Sequence, residues 1–180
     1  MELKKIVIDG FTSIGNFYDD TDFKKMKDIY IKWKNLNEQL VILGGRSLNV
    51  PELLSEGLLC YALKYYRTNG KNSHGYDAYD LNTNKGIQIK SSSIEDDCSS
   101  FGPKTKWDKI YFLKFFPQSH NGLVEIYDIS DYKLDDLLLN VEKNETFKDQ
   151  QEQGRRPRFS INMKIIKKNN LKPIKILELL

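Results

Sequence analysis

Asp77, Gln88 and Lys90 are the residues of this sequence best suited to chemistry, and they fall in one short stretch. Residues 76–81 and 86–90 read as extended runs, and Asn82-Thr-Asn-Lys85 between them is turn chemistry, so the stretch is a β-hairpin. If the turn has two residues, Thr83-Asn84, or four, Asn82 to Lys85, Asp77 falls opposite Lys90 and Tyr79 opposite Gln88. Side chains alternate along a strand, so Asp77, Tyr79, Gln88 and Lys90 then share one face and Asp80 points away. A three-residue turn would bring Asp80 to that face instead. Asp77 is preferred because it and Gln88 lie well away from the turn, where a metal and a phosphate have room; Asp80 stays open.

A carboxylate and an ammonium converging on one point suit phosphodiester hydrolysis. That reaction needs a divalent ion to neutralise the phosphate and acidify a water, and a nearby cation to position the nucleophile. Magnesium keeps several waters, so one or two acids with neutral oxygens suffice on the protein side. Taken alone, the hairpin also describes an exposed ribbon in which Asp and Lys form a cross-strand pair worth roughly 0.2–1 kcal/mol.

Upstream, Glu52 and Glu56 are one helical turn apart beside an apolar stripe of Leu53, Leu54, Leu58 and Tyr61. An acid among such neighbours wants a reason. Glu56 reads either as a further metal or water ligand facing Asp77 or as a helix-surface glutamate. Downstream, Ser91 to Ser93 and the loop carrying Lys104 and Lys106 offer hydroxyls and ammonium groups suited to phosphate. Arg155, Arg156 and Arg158, with Gln153 and its neighbouring glutamines, form a block whose side chains can read guanine and adenine edges or hold backbone phosphates.

The elements that must position these groups follow from periodicity. Residues 22–40 place Phe23, Met26, Ile29, Tyr30, Trp33, Leu36 and Leu40 at helical spacing. After Gly44-Gly45, Asn49 is a candidate N-cap and Pro51 a first-turn proline for a helix over about 51–66. Residues 107–116 and 123–129 read as strands joined by 117–122, after a loop at 70–75 that precedes the hairpin. Residues 131–139 read as a short helix or turn, 144–153 as a solvent-facing helix or loop, 158–166 as extended, and 174–180 as a strand or short helix. The expected fold is α/β, one domain over 1–180, with a mixed central β-sheet flanked by helices.

Composition sets the outer bounds. With 39% hydrophobic and 29% charged residues the chain is neither disordered nor collagen-like. Cys60 and Cys98 show no zinc or disulfide spacing, which suggests reduced thiols. Ile6-Val-Ile is too short for a signal sequence or a membrane span, so a cytoplasmic protein without membrane association is expected. The net charge is +3, but eight Lys/Arg against one acid from Arg155 onward concentrate the basic surplus at the C-terminus. That asymmetry fits a polyanionic partner or a solvated basic face.

Taken in order, Asn49-Val-Pro-Glu52, Glu56, the hairpin ending Ile87-Gln-Ile-Lys-Ser91, Ser100-Phe-Gly-Pro103, Trp107-Asp-Lys-Ile-Tyr-Phe112 and Gln153-Gly-Arg-Arg-Pro-Arg-Phe-Ser160 resemble a family of short type II restriction endonucleases. Members recognise the interrupted palindrome GC-N-GC. The resemblance covers about residues 45–166. It implies a PD-(D/E)xK core, Mg2+-dependent cleavage of both strands of DNA, ends bearing 5′-phosphate and 3′-hydroxyl, and a homodimer on the palindrome. It further implies a cognate methyltransferase that protects host DNA. By position, Asp77 is the metal aspartate, Gln88 stands where the second acid is usual, and Lys90 is the lysine. The Ile89 carbonyl and Glu56 complete the ligands, Glu56 supplying the carboxylate that Gln88 lacks. A DNA-binding module without catalysis and a low-specificity repair or recombination nuclease are the competing expectations.

Overall fold

The computed structural model of the chain describes residues 1–69, 75–115 and 122–180. Strands β1 (Glu2–Ile8) and β2 (Phe11–Phe17) open the chain as a hairpin. Its two turn residues, Asp9 and Gly10, both lie at positive φ, 48° and 84°, the turn geometry whose twist suits paired strands. The Ile6-Val-Ile run is therefore part of a strand, with Ile6 and Ile8 buried beneath Tyr79.

Helix α1 (Asp20–Ile42) begins at a capping box in which Asp19 and Asp22 accept from each other's backbone amides, and it buries Met26, Tyr30 and Trp33. Helix α2 (Glu52–Leu63) follows, with Pro51 at its N-cap and no side-chain cap. Asn49 is not the cap; its carbonyl accepts the indole N–H of Trp33 at 3.1 Å. The helix ends sooner than periodicity suggests because Lys64 adopts the left-handed conformation. The chain then enters β3 (Tyr66–Thr68).

Next come β4 (Ala78–Asp80), β5 (Lys85–Ser92), the short β6 (Ser99–Ser100), β7 (Lys109–Phe115) and β8 (Leu123–Asp128). A 3-10 turn at Leu134–Asp136 leads to β9 (Leu138–Asn140), β10 (Glu145–Thr146) and helix α3 (Phe147–Glu152). Strand β11 (Arg158–Phe159), a π-helical turn at Asn162–Lys167 and β12 (Lys175–Glu178) complete the chain. Only the first two residues of the 158–166 segment are extended. The rest coils because Ile161, Ile165 and Ile166 bury together on one side, a helical rather than alternating spacing. The expected loops at 70–75 and 117–122, and Phe116, fall almost entirely outside the described residues.

Eight strands form one mixed sheet in the order β1-β2-β3-β4-β5-β7-β8-β12. All neighbours are antiparallel except β5 and β7, whose parallel pairing uses the long crossover that carries β6. Alternation sorts the core. Ile87, Ile89, Tyr111, Leu113 and Phe115 pack against α1 and α2, whereas Ile110 and Phe112 face Phe101, Phe147, Phe159 and Ile165 on the other side. The strand bearing the candidate chemistry is thus covered on both faces, which fixes its register and its side chains.

Candidate active site

The hairpin closes through a four-residue loop, 81–84, with Ala78 opposite Ile87, Tyr79 opposite Gly86 and Asp80 opposite Lys85. This register lies two residues from the one the turn chemistry suggests: Asp77 does not face Lys90, nor Tyr79 Gln88. Asn84 at φ 52° explains the shift, since it supplies the left-handed position that closes a loop starting at Leu81. A two-residue shift preserves faces. Asp77 and Gln88 therefore remain on one side, and the Gln88 amide nitrogen donates to Asp77 Oδ2.

Asp80 points away and is occupied. Its two carboxylate oxygens accept from the Asn82 amide at 3.0 Å and the Thr83 hydroxyl at 2.6 Å, capping the turn. The geometry places Asp77, not Asp80, beside Gln88.

Asp77 is held from three directions. Its amide donates to the Ile87 carbonyl at 2.9 Å, its carbonyl accepts from the Thr68 amide at 3.0 Å, and its Oδ2 accepts from the Ile89 amide at 2.7 Å. The Thr68 hydroxyl clamps the carbonyl of Tyr76, whose ring lies flat over Gly86. A Cβ at Gly86 would strike that ring at 2.3 Å, so any larger residue there must displace Tyr76. Gln88 is buried and turns its amide nitrogen toward the Ile89 carbonyl as well as toward Asp77. To act as a ligand through oxygen the amide must turn over, a change that exchanges two nearly isosteric atoms.

Glu56 projects from α2 into the same region. It is buried and accepts from the Arg67 guanidinium at 2.6 Å, while Glu52, one turn earlier, lies 3.6 Å from the other arm of that guanidinium. Arg67, on β3, carried no recognisable signal in sequence. Glu52, Glu56, Arg67, Thr68, Asn69, Tyr76 and Asp77 line a cavity of about 240 Å³. A neighbouring cavity of about 270 Å³, lined by Glu52, Glu56, Ile89, Lys90, Ser91 and Ser100 among others, continues the cleft past the lysine.

The electrostatics follow from this enclosure. Burial lifts the Asp77 carboxyl to about 6, against the opposing pull of the Ile89 amide and of Lys90. Burial and then the charge of Asp77 lift Glu56 to about 8, although Arg67 opposes both. Burial also lowers the Lys90 ammonium; Asp77 resists this and Arg156 adds to it. The Lys90 ammonium lies over the Phe101 ring, 5.2 Å from its centroid. Two carboxylates whose negative charge burial disfavours, Glu56 further opposed by the charge of Asp77, with an adjacent carbonyl and amide, are a hard-oxygen donor set suited to a divalent cation. Among the described residues no group of three or more His, Cys, Asp or Glu side chains converges, so the remaining ligands would be neutral oxygens and water.

The arginine block reaches this cleft through β11. Arg158 pairs with Ser100 and Phe159 with Ser99 of β6, and the Phe101 amide donates to the Pro157 carbonyl at 3.0 Å. Arg156 donates to the Ser100 hydroxyl at 3.3 Å, Arg155 to Glu145 at 2.7 Å, and Arg158 is exposed. Gln153 is exposed at the end of α3; it is Gln151 that reaches back to the Gly102 carbonyl, at 2.8 Å. Lys104 and Lys106 are exposed on the 101–107 loop, Lys106 at the edge of a separate cleft with Trp107 and Tyr132. Ser91 lines the cleft beside Lys90. Cys60 is buried and Cys98 exposed, both as free thiols.

A half-buried aspartate and lysine around a buried amide on a mixed sheet, flanked by a cationic rim, have the form of a nuclease. A family model described as Bsp6I restriction endonuclease matches residues 18–168. The chain is also 35% identical over 162 residues to the type II restriction enzyme Bsp6I of Bacillus sp. (strain RFL6), covering 89% of this chain and 90% of that protein. No solved structure matches. The chain belongs to the Bsp6I restriction endonuclease family. It is a type II restriction endonuclease, which implies binding of double-stranded DNA, and enzymes of this type generally use a divalent metal. Among the described residues no helix is long and apolar enough to cross a membrane.

Proposed function

We propose that the chain is a magnesium-dependent, site-specific deoxyribonuclease with a PD-(D/E)xK active site, cutting both strands of a GC-N-GC palindrome to leave 5′-phosphate and 3′-hydroxyl ends. The observation that carries the reading is the convergence of Asp77 and Gln88 on one face of the hairpin, with Glu56 across the cavity and Lys90 beyond. Asp77, Glu56, the carbonyl of Ile89 and Gln88 would hold the cation. When bound, Mg2+ supplies positive charge for the scissile phosphate and acidifies a coordinated water.

The chain's own groups do the rest. Lys90, its proton affinity reduced by burial, orients the attacking water or, in its neutral form, takes up that water's proton. Asp77, fixed by the Ile89 amide, keeps its carboxylate aimed without motion during the reaction. Arg155, Arg156, Arg158 and Gln153 approach base edges and phosphates from one side, and Lys104, Lys106 and Ser91 hold the backbone. A C2 homodimer places one such site on each strand of a palindrome. The enzyme works in the cytoplasm within a restriction–modification system, where a cognate methyltransferase protects host DNA.

Plasmid digestion with Mg2+ or with EDTA, followed by sequencing of the ends, tests the reading. Discrete EDTA-sensitive fragments with ends inside GC-N-GC are expected, and Asp77→Ala and Lys90→Ala should abolish them. A smear would instead indicate a low-specificity nuclease, and binding without cleavage a DNA-binding module.

A further inference from the structure

Arg67 lines the acidic cavity together with Glu52, Glu56 and Asp77. It grips Glu56 at 2.6 Å and reaches toward Glu52 at 3.6 Å, so one guanidinium spans two carboxylates of a single helical turn. One of the two, Glu56, is also a charge that a divalent cation at Asp77 and Glu56 would have to neutralise. A cation and a guanidinium cannot both take the same carboxylate oxygen without strong repulsion in an enclosed site.

A second observation shows where the arginine could go. Among the described residues, three buried side-chain polar atoms have no hydrogen-bond partner, and two of them, Asn16 Oδ1 and Tyr18 Oη, flank Arg67. Asn16 is the residue opposite Arg67 across β2 and β3. Both the Arg67 guanidinium and the Asn16 side chain already lie close enough to the Tyr18 hydroxyl to oppose, by charge and by weak hydrogen-bonding contact, the burial that raises its pKa, without reaching full hydrogen-bond geometry. Buried acceptors without donors are costly, and a guanidinium carries five N–H groups of which Glu56 uses one.

We propose that Arg67 is a two-position side chain: it occupies Glu56 as a resident counter-ion in the cation-free protein and turns to Asn16 and Tyr18 when a divalent cation takes that carboxylate. Arg67 is thus a positioning residue that keeps the acids folded and aimed before the cation arrives and that competes with it for Glu56. This inference rests on the reading of Asp77 and Glu56 as the cation site.

Mn2+ binding measured by electron paramagnetic resonance on the full chain without DNA tests it. Arg67→Met and the milder Arg67→Lys should both bind Mn2+ more tightly than the parent, Arg67→Met by at least about fivefold, the lower end of ordinary coupling between sites. Tyr18→Phe, which removes one acceptor and keeps the ring, should weaken binding. Unchanged or weaker binding in Arg67→Lys would overturn the proposal, even if Arg67→Met fails to fold. Asp77→Asn distinguishes the two layers: if it leaves Mn2+ binding intact, the cation site itself is misplaced, whereas if it abolishes binding while the arginine variants change nothing, only the role of Arg67 falls.

Discussion

The ammonium of Lys90 rests 5.2 Å from the centroid of the Phe101 ring, and that ring in turn stacks on Phe159 at 5.4 Å. Phe159 is the neighbour of Arg158 on β11, so the lysine of the cleft and the arginine block are braced against one aromatic stack. A lysine has four rotatable bonds and little reason to stay in place; an aromatic face that attracts its charge supplies one.

Phe101→Leu should therefore separate positioning from binding. The substitution keeps an apolar side chain but removes the ring face, costing about 1–2 kcal/mol of stability from lost burial. Single-turnover cleavage is expected to fall between about two- and thirtyfold, the range of a cation–π contact at exposed to desolvated sites. DNA affinity measured in EDTA should stay within about twofold of the parent, a change of under 0.5 kcal/mol. An equal fall in both would mean that Phe101 shapes the DNA surface and does not hold Lys90.

Asp77 and Asp80 should part company in the same way. Asp77→Asn keeps an acceptor for the Ile89 amide but loses the charge, and cleavage should disappear while the fold persists. Asp80→Ala removes the cap on the 81–84 turn, which should lower stability by about 1 kcal/mol and leave cleavage at saturating substrate near the parent value. Denaturant melts and plasmid digests on the two variants suffice, and loss of cleavage in Asp80→Ala with its fold intact would reverse the assignment.

That Asp77 and not Asp80 shares a face with Gln88 was legible in sequence while the register was not, and the difference has a physical basis. Face membership depends on whether the turn holds an even or odd number of residues, and any even turn puts Asp77 with Gln88. The register depends on which residue takes positive φ, and nothing local marks Asn84 over Asn82. The long helices were legible because Met26, Tyr30 and Trp33 repeat at helical spacing. The β1–β2 hairpin did carry a signal, Asp9-Gly10 beside Ile6-Val-Ile, that short-run apolarity alone obscured. Arg67 had none. It reaches Glu56 only because Lys64 ends α2 in a left-handed turn and sends β3 into the sheet between β2 and β4.

The raised Asp77 carboxyl makes stability depend on pH. Unfolded, this group titrates near 3.8; folded and without a cation it titrates near 6. Between those values the folded state keeps a proton that the unfolded chain has released, so raising the pH through this window weakens folding. Below it the group is protonated in both states and the penalty is absent; above it the penalty is complete. Glu56, raised to about 8, extends the decline, with Arg67 moderating it. In EDTA the melting temperature of the parent should fall relative to that of Asp77→Asn as pH rises from 4 to 7, and a divalent cation at neutral pH should recover it. A constant difference across the range would show that Asp77 is not a buried, disfavoured charge.

The three arginines of the block differ in what already holds them, and DNA should register the difference. Arg155 is committed to Glu145 at 2.7 Å, Arg156 touches the Ser100 hydroxyl at 3.3 Å, and Arg158 is exposed beyond the β6–β11 pair. An arginine that contacts a phosphate releases a counter-ion, so its removal should flatten the plot of log affinity against log salt by about one and weaken all sequences alike. One that reads a guanine should instead cost about 1–3 kcal/mol on the cognate site alone and leave nonspecific binding little changed. Arg156 lies near enough to Lys90 to act on its charge, so on the proposed reading it would meet the strand that Lys90 serves. Arg156→Ala should show the phosphate signature, and Arg158→Ala the base-reading one. Arg155→Ala should be milder than either, since the ion pair with Glu145 must loosen before that side chain can reach DNA. Binding isotherms at several salt concentrations on cognate and scrambled duplexes, in EDTA, decide among them; identical salt slopes and identical losses for all three would remove any division of labour within the block.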